Sequence, residues 1–139
     1  MTRIGFATLI VAGASALIVA QGPTTVRARI TLSERGGNCV KTIASNDGAR
    51  IRANRGNVVQ WEVVNNCGAD ANVAVGDWSI KGGDPNSPFT TNGRAGCNAG
   101  AGRSCTLSLT IRGNAGLATY SYSVSLNGTK QDPDLIIEG

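Results

Sequence analysis

Apolar and polar side chains alternate with a period of two along most of this chain. Val26, Ala28, Ile30 and Leu32 interleave with Arg27, Arg29, Thr31 and Ser33. Successive side chains of a strand point to opposite faces, so the pattern predicts a first strand with one buried face. Gly36-Gly37-Asn38 predicts a turn behind it. Residues 39–44 predict a second, less regular strand, closed by the strong turn signal Asn46-Asp47-Gly48. A short strand follows over 49–53, and Arg55-Gly56-Asn57 turns the chain again. The clearest alternation runs over 58–65, with Val59, Trp61 and Val63 on one face and Gln60 and Glu62 on the other. The Trp61 indole is expected in the core, where it removes about 150–250 Å² from water.

The second half repeats the pattern more loosely. Residues 71–75 predict a strand that Trp78-Ser79-Ile80 extends after a bulge at Gly76. Residues 81–102 read as a long loop, rich in Gly and Asn and holding Pro85, Pro88, Phe89 and Cys97. Leu107, Leu109 and Ile111 face inward from a strand over 106–111, and strands over 119–126 and 135–137 finish the chain. After residue 21 no stretch sustains the 3.6-residue period of a helix. Seven or eight short strands at spacings of about ten residues predict an all-β, two-sheet antiparallel sandwich with Greek-key connections.

The first twenty residues change the picture of compartment. Arg3 precedes an uncharged run over 4–19, and Ala20 is small enough for the last position before cleavage. This is the pattern of a removable signal peptide over 1–20, leaving a single domain over 21–139. A retained anchor is the competing reading, because an uncharged run of about 20 residues is long enough to span a bilayer. The abundance of Ala and Gly, the polar turn 21–23 and the lack of a basic cluster behind it favour cleavage. The expected location is therefore outside the cell or in a bacterial periplasm, with no membrane attachment after cleavage.

Four cysteines stand at 39, 67, 97 and 105. An even count behind an export signal predicts disulfides. No pair has the C-x-x-C spacing of a metal site, and the chain has no histidine to complete a mixed one. The net charge of +4 falls to +3 once Arg3 leaves. Arg27, Arg29, Arg50, Arg52 and Arg55 are scattered rather than gathered beside stacking aromatics, so no nucleic-acid partner is expected. The missing histidine also excludes Ser-His-Asp and Cys-His nucleophiles. Two acidic pairs, Asp132 with Asp134 and Asp77 with Asp84, have the residue types for glycoside cleavage. Asp132-Pro133 and Asp84-Pro85 explain themselves as turn starts, so no catalytic residues are assigned. No glycine-rich stretch has the phosphate-loop pattern. Asn127-Gly128-Thr129 fits a glycosylation triplet and equally a hairpin turn; the turn is expected.

Three stretches resemble the cupredoxin-like family, the fold of the small blue copper proteins. Gly56-Asn57-Val58-Val59-Gln60-Trp61-Glu62-Val63-Val64-Asn65-Asn66 resembles the family's G-D-x-V-x-W/F-x-x-x-N-N strand. Asn65 to Val73 is similar to its N-N-x-x-x-x-H-N-V stretch, and Gly116-Leu117-Ala118-Thr119-Tyr120-Ser121-Tyr122, followed by the closing strand, to its G-x-Y-x-F/Y hairpin. The family binds copper through two His, a Cys and usually a Met. On this chain those positions fall on Ala71, Asn127, Val124 and, with no gap in the loop, Asp132. A blue copper site needs a thiolate with imidazoles, so the resemblance implies a copper-free relative with no cofactor. Among the three pairings that four cysteines allow, the family's layout implies Cys39–Cys67 with Cys97–Cys105, and Cys67–Cys105 as the alternative.

These readings converge on a secreted, non-enzymatic and monomeric β-sandwich that binds an extracellular protein or glycan. The end that carries Ala71, the 81–102 loop and Asn127 is the expected contact surface, with Trp78 and Phe89 as exposed anchors. The alternative is a disulfide-based redox protein descended from a copper electron carrier.

Overall fold

A computed structural model of the protein describes residues 23–80, 87–131 and 133–138. The signal-peptide reading, Asp84 and Asp132 lie outside these residues. The described residues form ten strands and no helix, so none of them builds a helix long and apolar enough to cross a membrane.

The first sheet has the order β2 (Asn38–Ala44), β1 (Thr25–Arg35), β4 (Val58–Asn65), β7 (Ser104–Thr110). The second has the order β3 (Ile51–Asn54), β10 (Asp134–Glu138), β8 (Thr119–Leu126), β5 (Ala71–Ile80), β6 (Ala95–Ala99), and β9 (Thr129–Gln131) also pairs with β8. The inward residues of the two sheets make one core. Ala28, Ile30 and Leu32 of β1 and Val59, Trp61 and Val63 of β4 are buried, as their alternation requires.

Three expectations need correction. The sandwich is not purely antiparallel: β1 pairs with β4 in parallel, Thr25 opposite Val58 through Leu32 opposite Asn65, and β3 pairs with β10 in parallel. The cause is the crossover. The chain leaves the first sheet after β2, places β3 in the second, and returns as β4 beside β1. Parallel neighbours require such a crossing connection.

The region read as one long loop contains strand β6. Its inward residues Ala95, Cys97 and Ala99 are small, and Gly96 and Asn98 between them resemble loop composition. The smallness is structural. A Cβ at Gly96 would meet the Val73 carbonyl oxygen at 3.2 Å and the Ala74 Cβ at 3.4 Å, so a side chain there would push β5 and β6 apart by a few tenths of an ångström.

Trp78 and Phe89 are not exposed anchors; they are 4% and 2% exposed. A register shift between Gly76 and Ser79, with Asp77 at φ 56°, inserts an extra residue into β5. One extra residue reverses the faces that follow, so Trp78 turns inward where plain alternation points it outward. Its ring stacks on Tyr122 with centroids 4.4 Å apart and planes 12° apart. Its Nε1–H donates to the Gly93 carbonyl. Phe89 packs edge-on to Trp78 at 4.5 Å and forms a bridge with Ile111. Trp61 joins both, 6.5 Å from Phe89 and 5.9 Å from Tyr122. The glycine-rich segment is thus bolted to the core by its own aromatic residue.

Candidate functional site

The end of the sandwich that carries Ala71 and Asn127 is built from β5, the β8–β9 hairpin and the turns around Asn65 and Gly100. The hairpin forms because Asn127 and Gly128 take positive φ, 48° and 93°, the combination that a two-residue hairpin turn needs. Leu126 then faces Thr129 and Val124 faces Gln131.

The described positions that the resemblance assigns to ligands each play a structural part. Ala71 opens β5, is 3% exposed, and pairs with Ala99 of β6. Val124 is fully buried and sits opposite Val75. Asn127 stays at the surface but clamps two strands: its N–H donates to the Asn72 carbonyl at 2.9 Å, and its Oδ1 accepts the Asn72 N–H at 2.9 Å. A methyl group and an isopropyl group offer no lone pair, and the amide oxygen of Asn127 is already engaged. Among the described residues, no cluster of three or more His, Cys, Asp or Glu side chains could hold a metal ion.

Asn65 matters more than its place in the Asn65-Asn66 doublet discloses. It is a fully buried polar residue. Its Nδ2 donates to the carbonyls of Ala69, Ala99 and Gly100 at 2.9, 2.9 and 3.2 Å, and its Oδ1 accepts the Cys67 N–H at 2.9 Å. Both ends of the amide are satisfied, which is what makes its burial tolerable. One side chain therefore fixes the turn after β4 against the end of β6.

The disulfides brace the same molecule in two directions. Cys39 and Cys67 are joined, with Cα atoms 5.9 Å apart, tying edge strand β2 to the turn after β4 across β1. Cys97 and Cys105 are joined, with Cα atoms 6.2 Å apart, linking edge strand β6 of one sheet to edge strand β7 of the other. Cys97 and Cys105 are half-buried, and no cysteine is left free among the described residues.

Besides Arg52, whose guanidinium is raised by its hydrogen bonds to Glu138 and Asp47, three titratable groups depart from ordinary behaviour. Burial pushes the Tyr122 phenol up to about 12; its Oη accepts the Trp61 Nε1–H at 3.2 Å. Asp77 is held below the usual carboxylate range, chiefly by the hydrogen bond from Lys130 Nζ at 2.7 Å. That ion pair crosses a shallow groove of about 440 Å³ on the outer face of the second sheet, floored by small residues such as Ala74, Gly76 and Ser125. Lys41 is lowered by partial burial; it lies in a second cleft, between β2 and the β8–β9 hairpin. None of these places a nucleophile beside a base, the arrangement that covalent catalysis requires.

No protein-family profile and no curated protein matches the sequence. Solved structures do resemble it. The multicopper oxidase McoA from the hyperthermophile Aquifex aeolicus superposes over 88% of this chain with a TM-score of 0.50 at 16% identity. The chain spans 31% of the length of McoA. Auracyanin B superposes over 87% of this chain and 94% of its own, with a TM-score of 0.47 at 17% identity. The fold is therefore the cupredoxin-like β-sandwich. Its described residues carry two disulfides and no group of His, Cys, Asp or Glu side chains that could hold a metal ion.

Proposed function

We propose that the protein is an exported, copper-free and non-enzymatic binding module, acting as a monomer in the periplasm or outside the cell. The observation that carries this reading is the fate of the ligand positions. Ala71 and Val124 are packed into the core and Asn127 is a turn and a clamp, so this end offers shape and hydrogen bonds in place of redox chemistry. Two disulfides accord with an oxidising compartment. The export signal over 1–20 supplies the route. With Trp78 and Phe89 buried, the contact surface is assigned instead to the rim around the β8–β9 hairpin and the groove bordered by Asp77 and Lys130.

The test is affinity capture from extracellular material, with the oxidised protein immobilised and free protein as competitor. The expected result is a defined protein or glycan that is retained, saturates the bait and is released by the competitor. Recovery of nothing that saturates counts against the reading.

A further inference from the structure

The two sheets meet along two seams, and the seams are closed differently. Along one, the Cys97–Cys105 disulfide joins the facing edges. Along the other, β2 of the first sheet faces the β8–β9 hairpin of the second, and Lys41 Nζ reaches across to donate to the Thr129 carbonyl at 3.1 Å. A cleft of about 440 Å³ lies there, lined among others by Val40, Lys41, Leu126, Asn127, Thr129 and Gln131.

Both strands bordering the cleft have an unused edge. Among the described residues, β2 pairs only with β1, and β9 only with β8. The β1–β2 hairpin turns through Gly36 and Gly37 at φ 58° and 82°. Such a two-residue loop closes on a hydrogen-bonded pair, here Arg35 with Asn38, and hydrogen-bonded pairs then alternate along the ladder. The main-chain N–H and C=O groups of Cys39, Lys41 and Ile43 therefore point away from β1, toward the open edge. A row of unspent main-chain groups is a template for another strand.

The cleft also holds an uncompensated charge. The Lys41 side chain is half-buried, and burial lowers its pKa. None of the residues lining the cleft is acidic, and Lys41 forms no ion pair among the described residues. It spends one donor on Thr129, whereas an ammonium carries three. A strand laid beside β2 would set a side chain opposite Lys41 on the same face, with Cβ atoms about 5 Å apart. That is within reach of a carboxylate. A sugar ring, by contrast, finds no aromatic face to stack on: among the described residues the exposed large apolar side chain is Leu117.

We propose that this cleft docks an extended protein segment, which adds to the free edge of β2 and sets a carboxylate side chain against Lys41. The proposal rests on the binding-module reading and names the chemistry of the partner.

The test uses the oxidised protein and fluorescent peptides of alternating Thr and Val with one central Glu. The Glu peptide is expected to bind saturably and to shift the amide resonances of Cys39, Lys41, Ile43 and Thr129. Replacing its Glu by Gln should weaken it about tenfold, the scale of one hydrogen bond to a charged group. N-methylation of alternate residues should abolish binding. Lys41→Met should erase the preference for Glu over Gln, and Lys41→Arg should keep it; thermal unfolding verifies that both variants are folded. Absence of saturable binding by the Glu peptide, or equal affinities for the Glu and Gln peptides, overturns the proposal. So does a Lys41→Met protein that self-associates while the parent binds no peptide, since Lys41 is then only a guard on an exposed edge. A partner captured from extracellular material that binds Lys41→Met as well as the parent overturns the cleft assignment and leaves the binding-module reading standing.

Discussion

The resemblance sets the copper thiolate at Val124, and the neighbours of Val124 explain why a thiol there would not suffice to bind copper. Its side chain is fully buried opposite Val75, Ala71 is a buried methyl group, and the Asn127 amide is held by Asn72. Val124→Cys is expected to leave the protein without an intense visible absorption band on addition of Cu(II), because no imidazole is present to share the metal. Tyr122 offers a second test at this scale. Its phenol is pushed up to about 12 from its ordinary value of 10.0, so the folded state favours the neutral form. The associated stability is complete below pH 10 and is lost as the pH rises from about 10 to about 12. The loss amounts to about 2 to 3 kcal/mol. Tyr122→Phe should flatten this alkaline decline. At neutral pH it should cost about 1 kcal/mol, because the Trp61 Nε1–H loses its acceptor. Urea unfolding at several pH values measures both effects.

At the scale of elements, the glycine-rich region owes its order to what it buries. Phe89 bridges to Ile111, Arg112 Nη2 donates to the Ser87 carbonyl at 2.9 Å, and Gly93 receives the Trp78 indole N–H. Phe89→Ala is expected to destabilise the fold by about 3 to 5 kcal/mol and to speed amide exchange over 87–94. A variant with unchanged unfolding would show that this segment is not part of the cooperative core. The disulfides should differ in weight. Cys97–Cys105 spans 8 positions and Cys39–Cys67 spans 28. Loop-closure entropy assigns the two about 2.5 and about 3.5 kcal/mol. Paired Cys→Ser variants under urea unfolding should reproduce that order. A bridge that only staples two edges should also resist reduction, with a potential below about −300 mV. A potential near that of a thiol-exchange catalyst for Cys97–Cys105 would instead favour a redox role.

For the whole molecule, the parts legible in sequence were those governed by simple alternation. The β1 and β4 faces and the Asn127-Gly128 turn follow from period two and turn chemistry. So does the inward row of β7, Leu107 and Leu109. The bulge at Gly76 is legible, but the exposed position expected of Trp78 ignores its consequence: the extra residue reverses the period and turns Trp78 inward. Strand β6 was missed because its inward residues are small enough to pass for a loop. The parallel pairing of β1 with β4 depends on where the chain crosses between sheets, which no local pattern encodes. The grip of Asn65 was hidden for the same reason: its partners lie in three separate carbonyls, two of them more than thirty positions away. At this scale the molecule is a sandwich stapled along one seam and open along the other, with Ala71 and Val124 packed in the core and Asn127 clamping β5 to the hairpin.

Titration of the oxidised protein with Cu(I) and with Cu(II) tests most directly whether these residues can hold copper. Visible absorption and thermal unfolding are followed together. The expected result is no intense visible band and no rise in Tm at equimolar metal. Saturable binding of one copper per chain, with an intense visible band and a raised Tm, would contradict it.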